Sequence, residues 1–409
     1  MSDSPENLVT PAIKEQARAQ FEQIKRGTVE IVPEKELLHK LEQSLAHKKP
    51  LRIKLGVDPS TSDLHLGHTV VLQKLKTFQD LGHQVIFLIG DFTAQIGDPT
   101  GKSETRKQLS KEEVQRNAKT YADQVLKILN PSKTQIVFNS QWNDGLKIQD
   151  VIRLASHMTV ARMLEREDFS KRYKEGHAIS LHEFLYPILQ AFDSVQLRAD
   201  VELGATEQKF NVLLGRDYQK AAGQDPQAVV LLPILEGTDG VLKMSKSLEN
   251  AISITEPPKD MFGHIMSISD QLMYRFYELL TDHNLTEIKA LHPRDAKVQL
   301  AAELVERFHG SEAAEEASGE FESVFSKRQL PTDIPTIVVT ANQIALTKLL
   351  AENGLVTSLS EARRLIAQGG VTVDGAKITD TAFVIEGVAE SLVKAGKRKF
   401  AKVQFKPAK

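Results

Sequence analysis

The 409-residue chain contains no cysteine. Disulfides, thiolate metal sites and cysteine nucleophiles are therefore excluded, and the composition fits a reducing compartment. Neither charge is in large excess, with 52 Lys and Arg against 54 Asp and Glu, so no overall cationic field indicates nucleic acid or membrane binding. The longest apolar run, residues 228–235, is too short to span a bilayer, and the amino terminus has no signal-peptide pattern. These absences predict a cytoplasmic protein with no membrane partner.

The apolar pattern predicts an α/β fold built on a parallel sheet. A strand at residues 51–57 is followed by a helix that closes at Gly82 and by a second buried strand, HQVIFLIGDF. A strand–helix–strand order is typical of parallel strands joined by a right-handed crossover. Residues 147–167 are expected to form one helix, and 229–235 the last core strand.

Shifts in composition divide the chain into five segments. We predict a helical lead-in at 1–50, an α/β domain at 51–257, an α-helical domain at 258–330, a proline-containing linker at 331–341 and a small α+β domain at 342–409. The last segment carries 11 Lys or Arg against 6 Asp or Glu. This local basic charge, interleaved with aromatic and aliphatic residues, indicates either RNA binding or simply a well-solvated terminus.

Two histidines stand at the start of the first predicted crossover helix, in the stretch LHLGHTVV. A helix N-terminus offers unpaired N–H groups and a positive dipole end to phosphates, and Gly67 would let a ligand approach the backbone between His65 and His68. The imidazoles could donate hydrogen bonds to phosphate oxygens whose charge grows in a displacement at phosphorus. A metal-binding pair or a structural helix cap would show the same spacing.

A polar loop far along the chain, KMSKS, carries Lys243 and Lys246. Mobile ammonium groups on such a loop can close over a polyphosphate and neutralise a leaving pyrophosphate, although most loops of this composition are surface turns. The presence of both motifs around one α/β domain favours the phosphate interpretation.

A polar stripe interrupts an apolar helix pattern at Tyr186, Gln190 and Asp193. The spacing i, i+4, i+7 places all three on one face, and a core stripe would not consist of these residue types. The stripe therefore indicates a lined pocket. Asp98 by itself reads as an Asp-Pro turn, and Trp142 is expected to pack in the core.

HLGH and KMSKS resemble the two signatures of the class I aminoacyl-tRNA synthetases, and in finer detail the chain is similar to the bacterial tyrosyl-tRNA synthetases. The similarity covers nearly the whole chain, because the family carries a Rossmann-like catalytic domain, a helical anticodon-side domain and an S4-type RNA-binding domain. It rests on these stretches: VDPSTSDLHLGH, GDFTAQIGDPTGKSETR, YPILQAFDS, VELGATEQKFN, KMSKS and SEARRLIAQGGVTVDG.

The resemblance implies roles for individual residues. The residues expected to act on the phosphates are His65, His68, Lys102, Arg106, Lys243 and Lys246. Those expected to bind ATP are Asp58, Ser60, Gly67 and Glu207, with Glu207 on the ribose, together with the two lysines of the KMSKS loop. Those expected to bind tyrosine are Thr93, Asp98, Tyr186, Gln190, Asp193 and Gln208, with Asp193 on the phenol. No residue is expected to hold a metal.

The chain departs from the family pattern at two places that bear on the site. Lys54 stands where a well-known branch has a tyrosine that contacts the phenol. The usual GG(T/S)DQ run is GATEQ here, so Ala205 would be strained if its backbone needed a positive φ.

The activity implied is that of a tyrosine–tRNA ligase in protein biosynthesis. Tyrosine would attack Mg²⁺-ATP to give tyrosyl-adenylate and pyrophosphate, and the tyrosyl group would pass to the 3′ end of tRNA(Tyr), in a homodimer. A tryptophanyl-tRNA synthetase, a synthetase-derived RNA-binding protein without catalysis and a small nucleotidylyltransferase are the alternatives. The polar stripe and the basic tail count against the first and the last of these.

Overall fold

A six-stranded sheet organises the first part of the chain. The computed structural model describes residues 8–60, 63–100, 109–325, 334–386, 390–396 and 399–406. Its contacts divide the chain into two units, Met1–Ala317 and Ser318–Lys409. The six strands of the first unit are β1 (Glu30–Val32), β2 (Arg52–Val57), β3 (Gln84–Ile89), β4 (Thr134–Phe138), β5 (Val201–Ala205) and β6 (Ala228–Leu232).

The strand order is β1-β6-β5-β2-β3-β4, with β1 antiparallel and the other five parallel. Strands β3 and β6 are near-continuous apolar runs because both faces of a parallel sheet are covered by helices. The chain builds outward from β2 to β4 and then returns to build β5 and β6 on the other side. The order therefore reverses between β2 and β5, and such a reversal opens a crevice at the carboxyl ends of the two strands.

Helices cover this sheet and extend beyond it within the first unit. They are α1 (Pro11–Lys25), α2 (Glu34–His47), α3 (Leu66–Asp80), α4 (Thr93–Ile96), α5 (Lys111–Val125), α6 (Ser140–Asn143), α7 (Ile148–Ala155), α8 (Val160–Met163), α9 (Glu167–Lys174), α10 (Leu181–Leu197), α11 (Lys209–Ala221), α12 (Pro258–Ser267), α13 (Asp270–Leu280), α14 (Leu285–Ala290) and α15 (Pro293–His309), followed by α16 (Ser311–Phe325) at the border of the two units. The predicted helix over 147–167 is broken, because Thr159 caps a new helix through its hydroxyl.

The second unit is a small α+β structure with its own apolar core. It contains β7 (Thr336–Val339), β8 (Gln343–Ala345), α17 (Leu346–Glu352), α18 (Leu359–Ala367), β9 (Val371–Val373), β10 (Ala376–Ile378), β11 (Val384–Glu386), β12 (Ser391–Ala395) and β13 (Lys399–Phe405). Five strands form a sheet in the order β10-β9-β12-β13-β7, and β11 pairs with β8. Residues 371–378 form the hairpin that the Asp-Gly turn indicates.

Two expectations about connecting segments need correction. Residues 30–32, predicted to belong to the helical lead-in, form β1 and pair with β6. Residues 336–339, predicted to lie in the linker, form β7 beside β13. Both strands are only three or four residues long, so neither gives a clear periodic signal in the sequence. The exact borders of the five predicted segments remain predictions.

The mixed α/β architecture with a parallel core is confirmed. Within the described residues, none of the helices has the length and apolar character that crossing a membrane requires.

The pairing of β1 yields a stability prediction. Ile31 lies buried opposite Val230, whereas its near neighbour Val29 is exposed. We expect Ile31→Ala to lower the free energy of unfolding by about 2–5 kcal/mol, because it leaves a cavity against the sheet. Val29→Ala should change it by no more than about 0.5 kcal/mol. Urea unfolding of both variants measures the difference, and equal effects would contradict a structural role for β1.

Candidate active site

The crevice between β2 and β5 holds a cavity of about 330 Å³. Its walls are the carboxyl ends of the two strands and the start of α3, with side chains from α4, α5, α10 and α11. The lining includes eleven residues that the sequence assigned to the site: Asp58, Ser60, Gly67, His68, Thr93, Asp98, Tyr186, Gln190, Asp193, Glu207 and Gln208. A switch-point cavity with convergent polar groups is the usual form of a small-molecule site in an α/β sheet.

Asp193, on α10, is a buried carboxylate at this cavity. Its oxygens accept hydrogen bonds from Asn139 Nδ2 at 3.2 Å and from Trp142 Nε1 at 2.8 Å. Burial raises the pKa of Asp193 to about 6, and the Lys54 ammonium together with the Trp142 and Asn139 hydrogen bonds opposes that rise. Asp193 is therefore mainly ionised at neutral pH and held in one orientation.

A second carboxylate, Asp58, lies beside the stripe residue Tyr186. The Tyr186 hydroxyl donates to Asp58 Oδ2 at 2.9 Å, and the Thr93 hydroxyl donates to Oδ1 at 2.7 Å. Burial raises the pKa of Asp58 to about 7, and the charges of Asp98 and Asp193 add to the rise. A Cβ built on Gly90 would lie 2.1 Å from Asp58 Oδ1, so only glycine fits at that position.

Asp98 belongs to a chain of hydrogen bonds that closes on itself. Gln208 Nε2 donates to Asp98 Oδ2 at 2.7 Å, and Asn211 Nδ2 donates to Gln208 Oε1 at 3.0 Å. Arg166 donates to both Asn211 Oδ1 at 3.1 Å and Thr100 Oγ1 at 2.9 Å. The Thr100 hydroxyl in turn donates to Asp98 Oδ1 at 2.6 Å. This ring of hydrogen bonds fixes the side chains of Asp98 and Gln208, both of which are predicted to bind tyrosine.

Gln190 presents a buried amide oxygen for which the described part of the chain supplies no hydrogen-bond partner. The side chain lines the cavity. A buried acceptor without a partner costs free energy, so it marks a position where a ligand donor would be stabilised.

The histidine pair lies at the start of α3, with its ring centroids 3.9 Å apart. The His65 backbone N–H donates to His68 Nδ1 at 3.2 Å, which leaves the proton of a neutral His68 on Nε2. Burial lowers the pKa of His65 to about 3 and that of His68 to about 4, and the Lys246 ammonium lowers both further. Both imidazoles are therefore neutral donors at physiological pH.

The lysine loop packs against the histidine pair. The Gly67 N–H lies 3.2 Å from Met244 Sδ, and the Leu66 N–H donates to Ile252 O at 2.9 Å. A Cβ on Gly67 would lie 2.9 Å from the His65 ring, so the glycine permits this close packing. The two sequence motifs, about 175 residues apart, thus meet in space, as the phosphate interpretation requires. The helix-cap interpretation is confirmed as well, because His65 is the N-cap of α3 and forms a capping box with His68.

Both lysines of the loop are bound to carboxylates. Lys246 Nζ lies 2.7 Å from Asp63 Oδ2, and Lys243 Nζ lies 2.9 Å from Glu207 Oε1. Glu207 also lines the cavity, so Lys243 reaches its edge. Lys102 and Arg106, the other two predicted cations, lie outside the described residues.

Three contributors to the site were missed by the sequence. Trp142 packs against an apolar cluster, as expected, and it also donates its indole N–H to Asp193, a role that the sequence did not indicate. Asn139 donates to the same carboxylate. The position of Asn139 directly after β4 could have identified it, because residues there reach the same edge as those after β2 and β5. Arg166 had no recognisable signal. Ala205 has φ −72°, so the alanine of GATEQ is unstrained.

Comparison with known proteins agrees with this geometry. Residues 46–326 match the family model for "tRNA synthetases class I (W and Y)", so the chain belongs to the class I tRNA synthetases. Residues 327–403 match the "Tyrosine--tRNA ligase SYY-like C-terminal domain".

Two similar proteins identify the family within this class of synthetases. The chain is 57% identical to a tyrosine–tRNA ligase of Carboxydothermus hydrogenoformans, covering 96% of this chain and 99% of that protein. It is 55% identical to the tyrosine–tRNA ligase of Coxiella burnetii, covering 94% and 98%. The chain therefore belongs to the tyrosine–tRNA ligases, and the tryptophan-specific and nucleotidylyltransferase alternatives are excluded.

Solved structures share the fold. A truncated mitochondrial tyrosyl-tRNA synthetase of Aspergillus nidulans superposes with a TM-score of 0.66 at 20% identity, covering 78% of this chain and 99% of that one. A tyrosyl-tRNA synthetase of Archaeoglobus fulgidus, complexed with L-tyrosine, gives 0.60 at 24% identity, covering 74% and 100%.

The neutral histidine pair predicts a specific acid sensitivity. Each imidazole is neutral in the folded protein but protonates near pH 6.5 in the unfolded chain, so stability present above pH 6.5 is lost as pH falls toward 4. The free energy of unfolding of the unaltered protein should fall between pH 6.5 and 5 more steeply than that of His65→Asn/His68→Asn. The difference approaches about 1.4 kcal/mol per pH unit for each histidine. If urea titrations gave the same pH dependence of the free energy of unfolding for both proteins, the assignment of a neutral histidine pair would be wrong.

Proposed function

We propose that the cavity between β2 and β5 binds tyrosine with its phenol on Asp193 and its ammonium among Asp58, Asp98 and Gln190. The observation that carries this is the position of Asp193, a buried and oriented carboxylate lining a cavity that Gly67 and His68 of the HLGH motif also line. A phenol donates one hydrogen bond, and an ionised carboxylate is the strongest acceptor for it.

The ammonium subsite is supported by charge. Burial is the main cause of the raised pKa of Asp58, and the negative charges of Asp98 and Asp193 add to it, so the three carboxylates repel one another. A bound ammonium would relieve this repulsion, and a buried ammonium in turn needs a carboxylate partner. Asp58 was expected on the ATP side, but its bonds to Thr93 and Tyr186 favour an additional role in organising the ammonium subsite.

Tyrosine activation then proceeds by direct displacement. The substrate carboxylate attacks the α-phosphorus of ATP, the new oxygen–phosphorus bond forms, and the bond to the β-phosphate oxygen breaks to release pyrophosphate. No general base is required because the carboxylate is already ionised, so positioning and charge stabilisation supply the acceleration. Neutral His65 and His68 would donate to the α-phosphate oxygens. Gln208, held by Asp98 and Asn211, would lie near the reacting carboxylate.

The loop lysines act on the leaving group. Lys243 and Lys246 pair with Glu207 and Asp63, and they would exchange these partners for the β- and γ-phosphates of ATP. Lys102 and Arg106 would add two further cations. Ser60 and Gly67 would contact ATP, and Glu207, once released by Lys243, would be available to the ribose hydroxyls.

ATP would enter as its Mg²⁺ complex. Within the described ranges no group of three or more His, Asp or Glu side chains could hold a metal ion. Mg²⁺ is commonly held mainly by substrate phosphates and water, so the donor set here fits an ion that arrives with ATP.

Transfer to tRNA(Tyr) involves the second unit. Lys394, Lys399 and Lys402 lie on its strands β12 and β13, and Arg363 and Arg364 on α18. Such a basic set favours binding to the RNA backbone. The working form would be a homodimer, because α7, α8 and α10 expose the apolar side chains Ile148, Ile152, Val160 and Leu181. The absence of cysteine favours a reducing compartment, and therefore the cytoplasm.

Asp193→Asn tests the phenol assignment. Loss of the charged acceptor should lower kcat/KM for tyrosine in ATP–pyrophosphate exchange by roughly ten- to hundredfold, since hydrogen bonds to charged groups contribute about 1.5–3 kcal/mol. The value for phenylalanine should stay unchanged. Tyrosyl-tRNA synthetases are the standard example of such selectivity, rejecting phenylalanine by about 10⁵ without editing. Absence of any exchange in the unaltered protein would instead support an RNA-binding protein without catalysis.

Lys246→Met tests the loop. The exchange rate should fall by roughly 10²–10³-fold, the usual cost of removing one donor to transition-state charge, while KM for tyrosine stays unchanged. Lys76→Met is the matched control, because Lys76 forms an exposed pair with Asp80 away from the cavity. A rise in KM for tyrosine with an unchanged rate would show that Lys246 does not act on the phosphates.

A further inference from the structure

A buried ion pair lies where β2 and β5 separate. Lys54 and Glu202 are Cα partners, and they form the last pair of the ladder that joins the two strands. Their charged atoms lie 2.8 Å apart, and both side chains are fully buried. The residues that follow on each strand, Leu55 and Leu203, already line the cavity.

The Lys54 ammonium uses all three of its hydrogens. It donates to Glu202, to Ser194 Oγ at 2.7 Å and to the Gln190 carbonyl at 3.2 Å. Ser194 donates in turn to Glu202 Oε2 at 2.8 Å. Ser194 directly follows Asp193 in the chain, so Lys54 binds the turn of α10 that carries both Gln190 and Asp193. With no hydrogen left, Lys54 cannot donate to the phenol itself.

A buried ion pair is a weak device for stability alone, because desolvation of two charges offsets their attraction, and apolar residues of the same volume often stabilise as well. The role of the Lys54–Glu202 pair must therefore be sought in its effect on the neighbouring carboxylate, Asp193. The titratable groups around Asp193 are Lys54 on β2, Glu202 on β5, Asp58 across the cavity and Tyr186, which is un-ionised, on α10 itself. Lys54 is the one positive charge of this set.

We propose that Lys54 is a positioning residue for substrate selection: it fixes the α10 turn that carries Asp193 and keeps Asp193 an anionic acceptor for the phenol. The inference rests on the proposed binding of tyrosine by Asp193. Lys54 thereby acts on the hydroxyl of tyrosine through Asp193, and its effect is restricted to substrates that carry that hydroxyl.

The two partners of the pair have opposite effects on Asp193. The Lys54 ammonium lowers the pKa of Asp193, and the Glu202 carboxylate raises it. Removal of Lys54 should raise the pH at which the enzyme gains tyrosine affinity, because Asp193 then ionises at higher pH. Removal of the Glu202 charge should lower that pH. If the pair had a purely structural role, removal of either partner would instead have the same effect on tyrosine affinity.

The test compares four variants by ATP–pyrophosphate exchange with tyrosine and with phenylalanine between pH 6 and 9. They are Lys54→Met, Glu202→Gln, the double variant Lys54→Met/Glu202→Gln, and Lys74→Met. The double variant removes both charges and guards against misfolding of the single ones. Lys74 is the matched control, since it is a buried lysine that donates to the Gln23 and Arg26 carbonyls elsewhere in the fold.

We expect Lys54→Met to raise KM for tyrosine at pH 7, by about twofold if the pKa of Asp193 rises from about 6 to about 7 and by about tenfold if it rises to about 8, with kcat and the phenylalanine values nearly unchanged. The midpoint of the pH dependence should move upward. The double variant should show a smaller rise, because the losses of Lys54 and Glu202 change the pKa of Asp193 in opposite directions. Glu202→Gln should retain the preference for tyrosine and move the midpoint downward, and Lys74→Met should change neither.

Equal losses for both amino acids in Lys54→Met and Glu202→Gln, with an unmoved midpoint, would overturn the proposal. Asp193→Asn separates this failure from that of the proposed function. If Asp193→Asn lowers tyrosine selectivity and Lys54→Met does not, only the role of Lys54 is wrong. If Asp193→Asn leaves selectivity intact, the phenol assignment fails and the role of Lys54 fails with it.

Discussion

The reversal of strand order between β2 and β5 is the constraint on which the site depends. The two strands pair at only two positions, Ile53 with Val201 and Lys54 with Glu202, and the cavity begins where the pairing stops. Parallel strands align their carboxyl ends at one edge, so the loops after β2, β3, β4 and β5 all deliver side chains to the same place. Asp58, Thr93, Asn139 and Gln208 each follow one of these strands. Without this reversal the strands would still share that edge, but no crevice would open between β2 and β5 to receive a ligand.

Charge is segregated along the cavity. The carboxylates Asp58, Asp98 and Asp193 line the cavity, as does the neutral His68, and Lys243 lies beside the lining residue Glu207. An amino acid and a nucleotide triphosphate have the complementary arrangement, since the ammonium of one and the phosphates of the other lie at opposite sides of the reacting carboxylate. Burial makes each interaction stronger than it would be in water, and it also explains why the carboxylates are anchored by neutral donors such as Trp142.

Much of the fold and site could be predicted from the sequence, and the failures have physical reasons. Apolar periodicity predicts the parallel sheet and α3. The stripe of Tyr186, Gln190 and Asp193 is recognisable because these polar residues interrupt an apolar helix. Trp142 could not be assigned, since an indole looks apolar in sequence and its partner Asp193 is 51 residues away. Strands β1 and β7 were missed because three or four residues show no period, and their pairing is decided by distant strands. In the sequence, Lys54 stands out only as a departure from a family pattern, and nothing there indicates that Glu202 is its partner.

The parallel pairing of β7 with β13 has a consequence for the order of biosynthesis. Strand β7, the first strand of the second unit, pairs with residues 402–405 of β13, about sixty residues further along the chain. A ribosome adds residues from the amino terminus, so the first unit can complete its sheet before β7 is made, whereas the ladder between β7 and β13 cannot form until residues 402–405 have been added. Strand β7 therefore stays without β13 while the intervening residues are synthesised, and closure of this sheet is the last step in folding the second unit.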